Sequence, residues 1–547
     1  MKRLVTFFFA LALASTLSAA TQRYIVATRA FVPVARAAVM IRDIETTPRP
    51  RSVESFRSIS GFAADLSDDE AAALRRSVEV RYIEPVVERH ALDLGGVTTN
   101  ADVVNPFAQT VPFGIDLVRA REVWPVTHGE GINVVVIDTG IDYTHPDLAG
   151  VYAGGFNTYG NTDDPKDDNG HGTHVAGTIA AADNNVGVVG VAPHVKLWSV
   201  KVLNSKGSGS SDRIISALDW VLDKKNTLGG DWVINLSLGS VTPSVAEREA
   251  FGRAIDAGLL ICAASGNESS TIGPAPVDYP AAYRDVLAIG AVDQSRVVAG
   301  FSNQGPELAV VAPGVSVLST YPVGQGSSAG ALTNAGTFAG AEIELSKRGT
   351  VTAGFVKCGI GKPEEFPASV AGKIAVIQRG ELSFNAKAHN AVSAGAAGII
   401  IYNNDATSAL TWTLRNTSDP GADAFAWPVT IALTQADGTA LVNNATGQIT
   451  ITDRADDYEV LSGTSMATPH AVGVAALVWS AAPTISAGDI RQALLHTAVD
   501  LGDAGFDTVY GNGMVDALSA AKQVAPAKFG VPSTPFSGPR TRAVRRH

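Results

Sequence analysis

The sequence predicts an α/β fold, a mostly parallel sheet with helices on both faces. Three observations predict it. Between residues 112 and 320, short apolar segments alternate with helical ones: "INVVVID", "HGTHVAGTIAAA", "VKLWSVKVL", "DRIISALDWVLDKK", "DWVINLSL", "EAFGRAIDAG", "LLICAAS" and "VLAIGAV". Turn-forming and polar residues stand where the apolar strands end, the side on which such sheets gather functional groups. After an interruption, the alternation resumes at "YEVLSGTSM" and closes near "YGNGMVDALSAAKQ".

The elements follow in order. Residues 1–20 join a basic "MKR" to the apolar "LVTFFFALALA" and a small-residue "SAA", the pattern of a cleaved export signal. The apolar run is too short to span a bilayer, and nothing later reaches spanning length, so a secreted protein is expected. Residues 21–92 read as a small α/β unit. "RYIVA", "SISGFAADL" and "VEVRYIEPV" have strand character, and Ser67 with Glu70 forms a capping box for a helix over "SDDEAAALRR". The main α/β body is expected over 93–322 and 458–526. Residues 323–457 form an inserted unit: "GKIAVIQRG" as strand, "SFNAKAHNAVSA" as helix between an N-cap Ser383 and a terminating Gly395, and "AGIIIYNN" as strand. The Pro-rich, basic stretch 527–547 lacks periodicity and reads as disordered.

A length of 547 residues implies several folded units. Hydrophobic residues at 46% against 17% charged give those units ample core. The formal charge is −11, and the ends are positive: +2 on the signal, +1 on 21–92 and +5 on the tail, which leaves −19 on 93–526. So acidic a body argues against nucleic acid as a partner. Cys262 and Cys358 are the only cysteines, too few for a disulfide framework, so stability rests on packing, with possible help from metal.

"GTSMATPHAVGVAALVW" (463–479) sets Ser465 at the mouth of an apolar, buried helix. A serine hydroxyl needs an adjacent base and a third group that orients the base. "INVVVIDTGID" offers Asp138 at a strand end, and "NGHGTHVAGTIA" offers His171 at a helix start, with Gly170 and Gly172 permitting close approach. Taken singly, each signal has another explanation. A helix-mouth serine is commonly an N-cap. "DTG" suggests an aspartic protease, but no second DTG or DSG follows, and "HGTH" lacks the spacing and glutamate of an HExxH zinc site.

Together, "DTGID", "HGTHVAG" and "GTSMATPHAVGVAAL", in that order, resemble the subtilisin-like serine proteases, or subtilases. The resemblance implies that Ser465 attacks the scissile carbonyl, His171 accepts and returns its proton, and Asp138 fixes the histidine tautomer. It also implies an oxyanion hole made by the Ser465 N–H and the side chain of Asn267 in "AASGNES". Pro469 is expected in the first helical turn, where a missing N–H costs little, and Thr468 and His470 in local packing.

By the same resemblance, Gly207 and Gly209 of "VLNSKGSGS" lie on an edge that pairs with extended substrate. Ser237, Leu238 and Gly239 of "NLSLGS", opposite Ala264 and Gly266 of "AASG", would wall the pocket for the residue before the scissile bond. Glu268 aligns at its rim and Asp278 near its floor, which would favour Lys or Arg, whereas Leu92 before the expected processing point suggests an apolar residue. A broad or apolar preference is expected.

Residues 21–92 resemble the inhibitory prodomain of subtilases, removed by self-cleavage between about Leu92 and Phe113, and 323–457 a protease-associated (PA) domain acting as a lid or docking surface or carried as a tolerated insertion. The resemblance also implies a structural Ca2+ site, matched by Asp147, Asn184 and the carbonyls of Ala182, Val186 and Val188, with no amino-terminal side-chain ligand matched. The acidic run 163–170 is a second candidate for an ion, or else a solvated loop. The expected function is therefore a secreted serine endopeptidase of protein or peptide substrates. It would be a monomer, made as a zymogen inhibited by its own prodomain. An inert binding or adhesion protein on the same scaffold is the alternative, and the lack of GxSxG disfavours an esterase.

Overall fold

The computed structural model describes residues 21–45, 50–92, 109–270, 273–405, 410, 412–415 and 425–530. The expected signal segment, residues 93–108 of the expected processing region, and residues 531–547 of the expected tail lie outside the described residues. The chain divides into two compact units, Met1–Val86 and Val87–His547.

In the first unit, four antiparallel strands run in the order Val53–Phe56, Gly61–Leu66, Gln22–Thr28, Val80–Pro85. Strand alternation brings Tyr24, Val26, Phe62, Ala64 and Leu66 into one core with Ala37, Met40, Ile41, Ala71 and Leu74 of helices Val34–Arg42 and Asp68–Arg75. The capping box of the second helix forms: Ser67 N–H donates to Glu70 Oε2 at 2.8 Å, and Glu70 N–H to Ser67 Oγ at 3.3 Å. The first helix is not legible in the sequence, because no side chain caps it and its first turn has no acidic residue.

The second unit is built on seven parallel strands, β1 (Ile132–Asp138), β2 (Tyr152–Asn157), β3 (Lys196–Lys201), β4 (Asp231–Leu236), β5 (Leu259–Ala264), β6 (Leu287–Val292) and β7 (Leu308–Pro313). Their order is β7-β6-β5-β4-β1-β3-β2. Every residue of β1, β5, β6 and β7 is buried, as a sheet covered by helices on both faces requires. Helices α1 (His171–Ala180), α2 (Ser211–Leu228), α3 (Val245–Asp256) and α4 (Thr464–Ala481) cover it. Strands β2 and β7 were not expected: "YAGGFN" carries two glycines, and "LAVVAP" ends in proline. Among the described residues no helix is long and apolar enough to cross a membrane.

The inserted region is a closed barrel of seven strands between Gly326 and Asp456. Ser383 caps helix Phe384–Ser393, accepting from Ala386 N–H, and Gly395 follows at φ +83°. The chain enters the barrel from Val317–Thr320 and leaves it into Tyr458–Leu461, and these two segments pair antiparallel. Both cysteines are buried free thiols.

Candidate active site

Strand β1 ends at Asp138, whose fully buried carboxylate accepts from Thr139 N–H at 2.6 Å and from His171 Nδ1–H at 2.8 Å. With the proton on Nδ1, the far nitrogen, Nε2, is the acceptor of the ring. The approach is close enough that a Cβ on Gly172 would collide with the Gly140 carbonyl. Asp167, in the acidic run, organises the start of α1. Its carboxylate accepts from the backbone of Asn169, Gly170 and Thr173 at 3.0 Å each and from Thr173 Oγ1 at 2.7 Å, while Asp168 pairs with Lys201 at 2.6 Å. These carboxylates build the helix mouth. His174 turns away to the Val317 carbonyl at 3.0 Å, and burial pushes its pKa down to about 3, a structural role.

Ser465 is the second residue of α4, so its N–H is one of the helix's unpaired first-turn donors. Pro469 lies in the second turn, not the first. Proline there removes the N–H that would bond the Ser465 carbonyl, and Ser237 Oγ–H fills that place at 2.8 Å. The Ser465 hydroxyl in turn donates to the Ser237 carbonyl at 2.9 Å. Thr468 and His470 bond the Thr464 and Met466 carbonyls of their own helix.

Asn267 follows β5. Its Oδ1 accepts from Thr464 N–H at 2.9 Å and Thr464 Oγ1–H at 2.8 Å, which fixes the amide's orientation. Its Nδ2 is buried with no hydrogen-bond partner among the described residues, the state of a donor held ready for an anion. The loop is pinned by Asn303, whose Oδ1 accepts from Glu268 and Ser269 N–H at 2.9 Å each and whose Nδ2–H donates to Glu268 Oε2 at 2.6 Å. Neither Thr464 nor Asn303 stands out in the sequence.

The cleft is filled by the chain itself. Glu88–Ala91 lies antiparallel between two short strands, Ser208–Ser210 and Leu238–Gly239, with His90 opposite Ser208 and Gly239, and Arg89 opposite Gly209. Ala91 N–H donates to the Gly207 carbonyl at 2.9 Å. Leu92 follows: its N–H donates to Ser465 Oγ at 3.1 Å, and its carbonyl oxygen accepts from Ser465 N–H at 3.2 Å. Gly207, Gly209, Ser237, Leu238 and Gly239 thus line one strip of backbone, whereas Ala264 and Gly266 stand at the end of β5, leading to Asn267.

Asp278 borders the same pocket. A Cβ on Gly239 would lie 3.1 Å from Leu92 Cδ1 and 3.2 Å from Asp278 Cβ, so this glycine separates the two by the thinnest wall available. Asp278 is 1% exposed, and neither carboxylate oxygen has a hydrogen-bond partner among the described residues. Burial first, and the Glu268 charge second, push its pKa up to about 7 against the pull of Arg89.

Comparison with known proteins accounts for this arrangement. The subtilase family model matches residues 129–342, the PA domain model 328–441 and the peptidase inhibitor I9 model 34–91. Subtilisin E of Bacillus subtilis is 38% identical over 288 residues, covering 52% of this chain and 69% of its own. Subtilisin DY of Bacillus licheniformis is 47% identical over 216 residues, 39% of this chain and 76% of its own. The chain belongs to the subtilase family. A crystal structure of a psychrophilic subtilisin-like protease from Pseudoalteromonas sp. AS-11 superposes with TM-score 0.60 at 31% identity, over 77% of this chain and 99% of that one. This subtilase is a subtilisin-like serine endopeptidase with an I9-type prodomain.

Away from the cleft, the subtilase gathers oxygens around one point. Gln109 Nε2 lies 2.7 Å from the Ala182 carbonyl, 3.1 Å from those of Val186 and Val188, and 3.4 Å from Asn184 Oδ1. Asp147 stands alongside, accepting from Asn184 Nδ2–H at 2.9 Å, Val188 N–H at 3.0 Å and the Tyr458 hydroxyl at 3.0 Å. So many acceptors around one amide group form a hard oxygen cage of the kind that suits calcium. Gln109 brings an amino-terminal side chain to this point, and nothing periodic around it marks that in the sequence.

Proposed function

We propose that this chain is exported as an inhibited precursor and cuts peptide bonds through Asp138, His171 and Ser465, its first cut falling after Leu92. One observation carries the reading: the Leu92 carbonyl lies against the Ser465 N–H, and the extended segment Glu88–Ala91 before it is paired along both of its edges. In this reading Ser465 Oγ attacks that carbonyl carbon. The hydroxyl proton, directed at the Ser237 carbonyl beforehand, passes to His171 Nε2. Asp138 holds the Nδ1 proton and stabilises the imidazolium. The oxyanion gains the Ser465 N–H, at the positive end of α4, and Asn267 Nδ2. The leaving amine takes the proton back from His171, and water then releases the acyl group.

The test is labelling of the mature protein with a serine-directed phosphonate. A single adduct on Ser465 is expected, and Ser465→Ala should accumulate as unprocessed precursor. Normal maturation of that variant, with other proteases absent, would refute self-cleavage.

The cage supports a structural Ca2+ held by Asp147, Asn184, the carbonyls of Ala182, Val186 and Val188, and Gln109 with its amide turned oxygen-inward. The ion would supply cross-linking charge to the loop. Chelation should lower the thermal midpoint, and Gln109→Ala should blunt that response. An unchanged midpoint would argue against the ion.

A further inference from the structure

Arg89 is the fourth residue back from the bond after Leu92, and it is the unusual member of the cleft-bound strand. Glu88 and His90 leave 84% and 49% of their side chains exposed, whereas the Arg89 side chain is 0% exposed. Its guanidinium meets Glu247, itself 0% exposed, in a bidentate pair: Nη2–H to Oε2 at 2.6 Å and Nε–H to Oε1 at 3.2 Å. Nη1–H donates to Ser240 Oγ at 2.6 Å and to the Glu88 carbonyl at 3.0 Å. Glu247 is fixed in turn. It sits in the first turn of α3, its N–H bonded to Ser244 Oγ at 3.0 Å, and its Oε2 accepts from the Tyr283 hydroxyl at 2.8 Å.

A carboxylate sealed in such a place is costly unless a cation meets it. A planar five-donor fork matches its two oxygens, and a lysine ammonium does not. The charge, the hydroxyls of Ser240 and Tyr283 and the depth of the pocket all select one side chain.

We infer that the mature enzyme carries an arginine subsite, built by Glu247, Ser240 and Tyr283, and prefers protein substrates with arginine four residues before the cut. This inference rests on the reading of residues 88–92 as the substrate strand. The precursor's own segment, Arg-His-Ala-Leu, is the sequence the cleft recognises, and later substrates are read by the same pocket once it leaves. A substrate without arginine leaves Glu247 buried and unanswered, so discrimination comes from the penalty on the wrong residue as much as from the bond to the right one.

The experiment uses the mature enzyme and fluorogenic peptides Xaa-His-Ala-Leu, where Xaa is arginine, lysine, citrulline, norleucine or alanine. The expected result is a kcat/KM for arginine about 100-fold above citrulline, which has nearly the same shape without the charge, with lysine between. In Glu247→Gln the arginine-to-citrulline ratio should collapse to within about threefold. The peptide series on the unaltered enzyme is decisive even where that variant does not fold. Equal turnover of all five peptides would overturn the subsite and leave the triad reading intact. An arginine preference that survives Glu247→Gln would overturn the assignment to Glu247. Failure to cut any of the five, by enzyme that still takes the phosphonate, would count against residues 88–92 as substrate strand and so against the subsite with it.

Discussion

Glu247 and Asp278 are two carboxylates sunk in one cleft, and they meet the cost of burial in opposite ways. Glu247 is answered by the Arg89 guanidinium, with the Tyr283 hydroxyl behind it. Asp278, beside Leu92, has no hydrogen-bond partner among the described residues, and its pKa rises to about 7. The first carboxylate therefore keeps its charge by meeting a cation, whereas burial makes the second harder to ionise. Depth alone says little about what a buried acid will accept.

The largest expected effect comes from removing the partnered acid. In the Ser465→Ala precursor, Glu247→Leu should cost about 3–5 kcal/mol in denaturant unfolding, because Arg89 stays buried without its anion. Adding Arg89→Leu should restore most of the loss. A neutral Glu247→Leu would mean that Arg89 reaches water and that the two acids differ less than their geometry implies.

Next comes Asn267→Ala, which serves as a control on chemistry as against recognition. Turnover should fall on the order of 10²–10³ for every peptide, with the arginine preference unmoved. A fall confined to arginine peptides would show that the first pocket and the oxyanion site are coupled.

Asp278→Asn should be smaller and should depend on pH. The native carboxyl titrates higher in the folded chain than at its ordinary value of 3.8, so its stabilising contribution is full below about 4 and is lost as pH rises through about 7. The amide has no such loss. The variant's advantage in unfolding free energy should therefore grow across that window to at most about 4 kcal/mol, less where water screens the carboxylate, and then stay level. An advantage independent of pH would refute the titration.

Smallest is the effect on cleavage preference. As Asp278 ionises, turnover after lysine relative to leucine should rise about tenfold between pH about 5.5 and 8.5, and the slope should flatten in Asp278→Asn. A ratio that does not change with pH would show that Asp278 stays out of contact with the bound side chain.

The residues proposed to do the chemistry were legible because each stands where a strong local pattern breaks. Asp138 ends an apolar strand, and His171 and Ser465 open apolar helices. The residues that hold or select were not, since their meaning lies in long-range contacts. Glu247 reads as an ordinary first-turn acid, Arg89 as one polar position in a strand, and Gln109 as linker, although the first two form a pair 158 residues apart in sequence. Pro469 shows a subtler limit. Its place in the helix was misjudged by a turn, because α4 begins at Thr464, before the apolar run that marks the helix in sequence. Asp278 was legible as a residue near the pocket floor, but what it does there was not, because its burial and the Gly239 wall it shares with Leu92 are long-range features.

The paired segments Val317–Thr320 and Tyr458–Leu461 form a neck, and helix α1 grips it: His174 Nε2 bonds the Val317 and Glu459 carbonyls at 3.0 and 3.2 Å, and Thr320 Oγ1–H donates to the Thr173 carbonyl at 2.8 Å. The described barrel between Gly326 and Asp456 thus joins the peptidase through this neck, as the tip of a hairpin does. A loop closing Thr320 directly onto Tyr458 would keep that pairing, so the anchorage of helix α1 is a property of the neck rather than of what it carries.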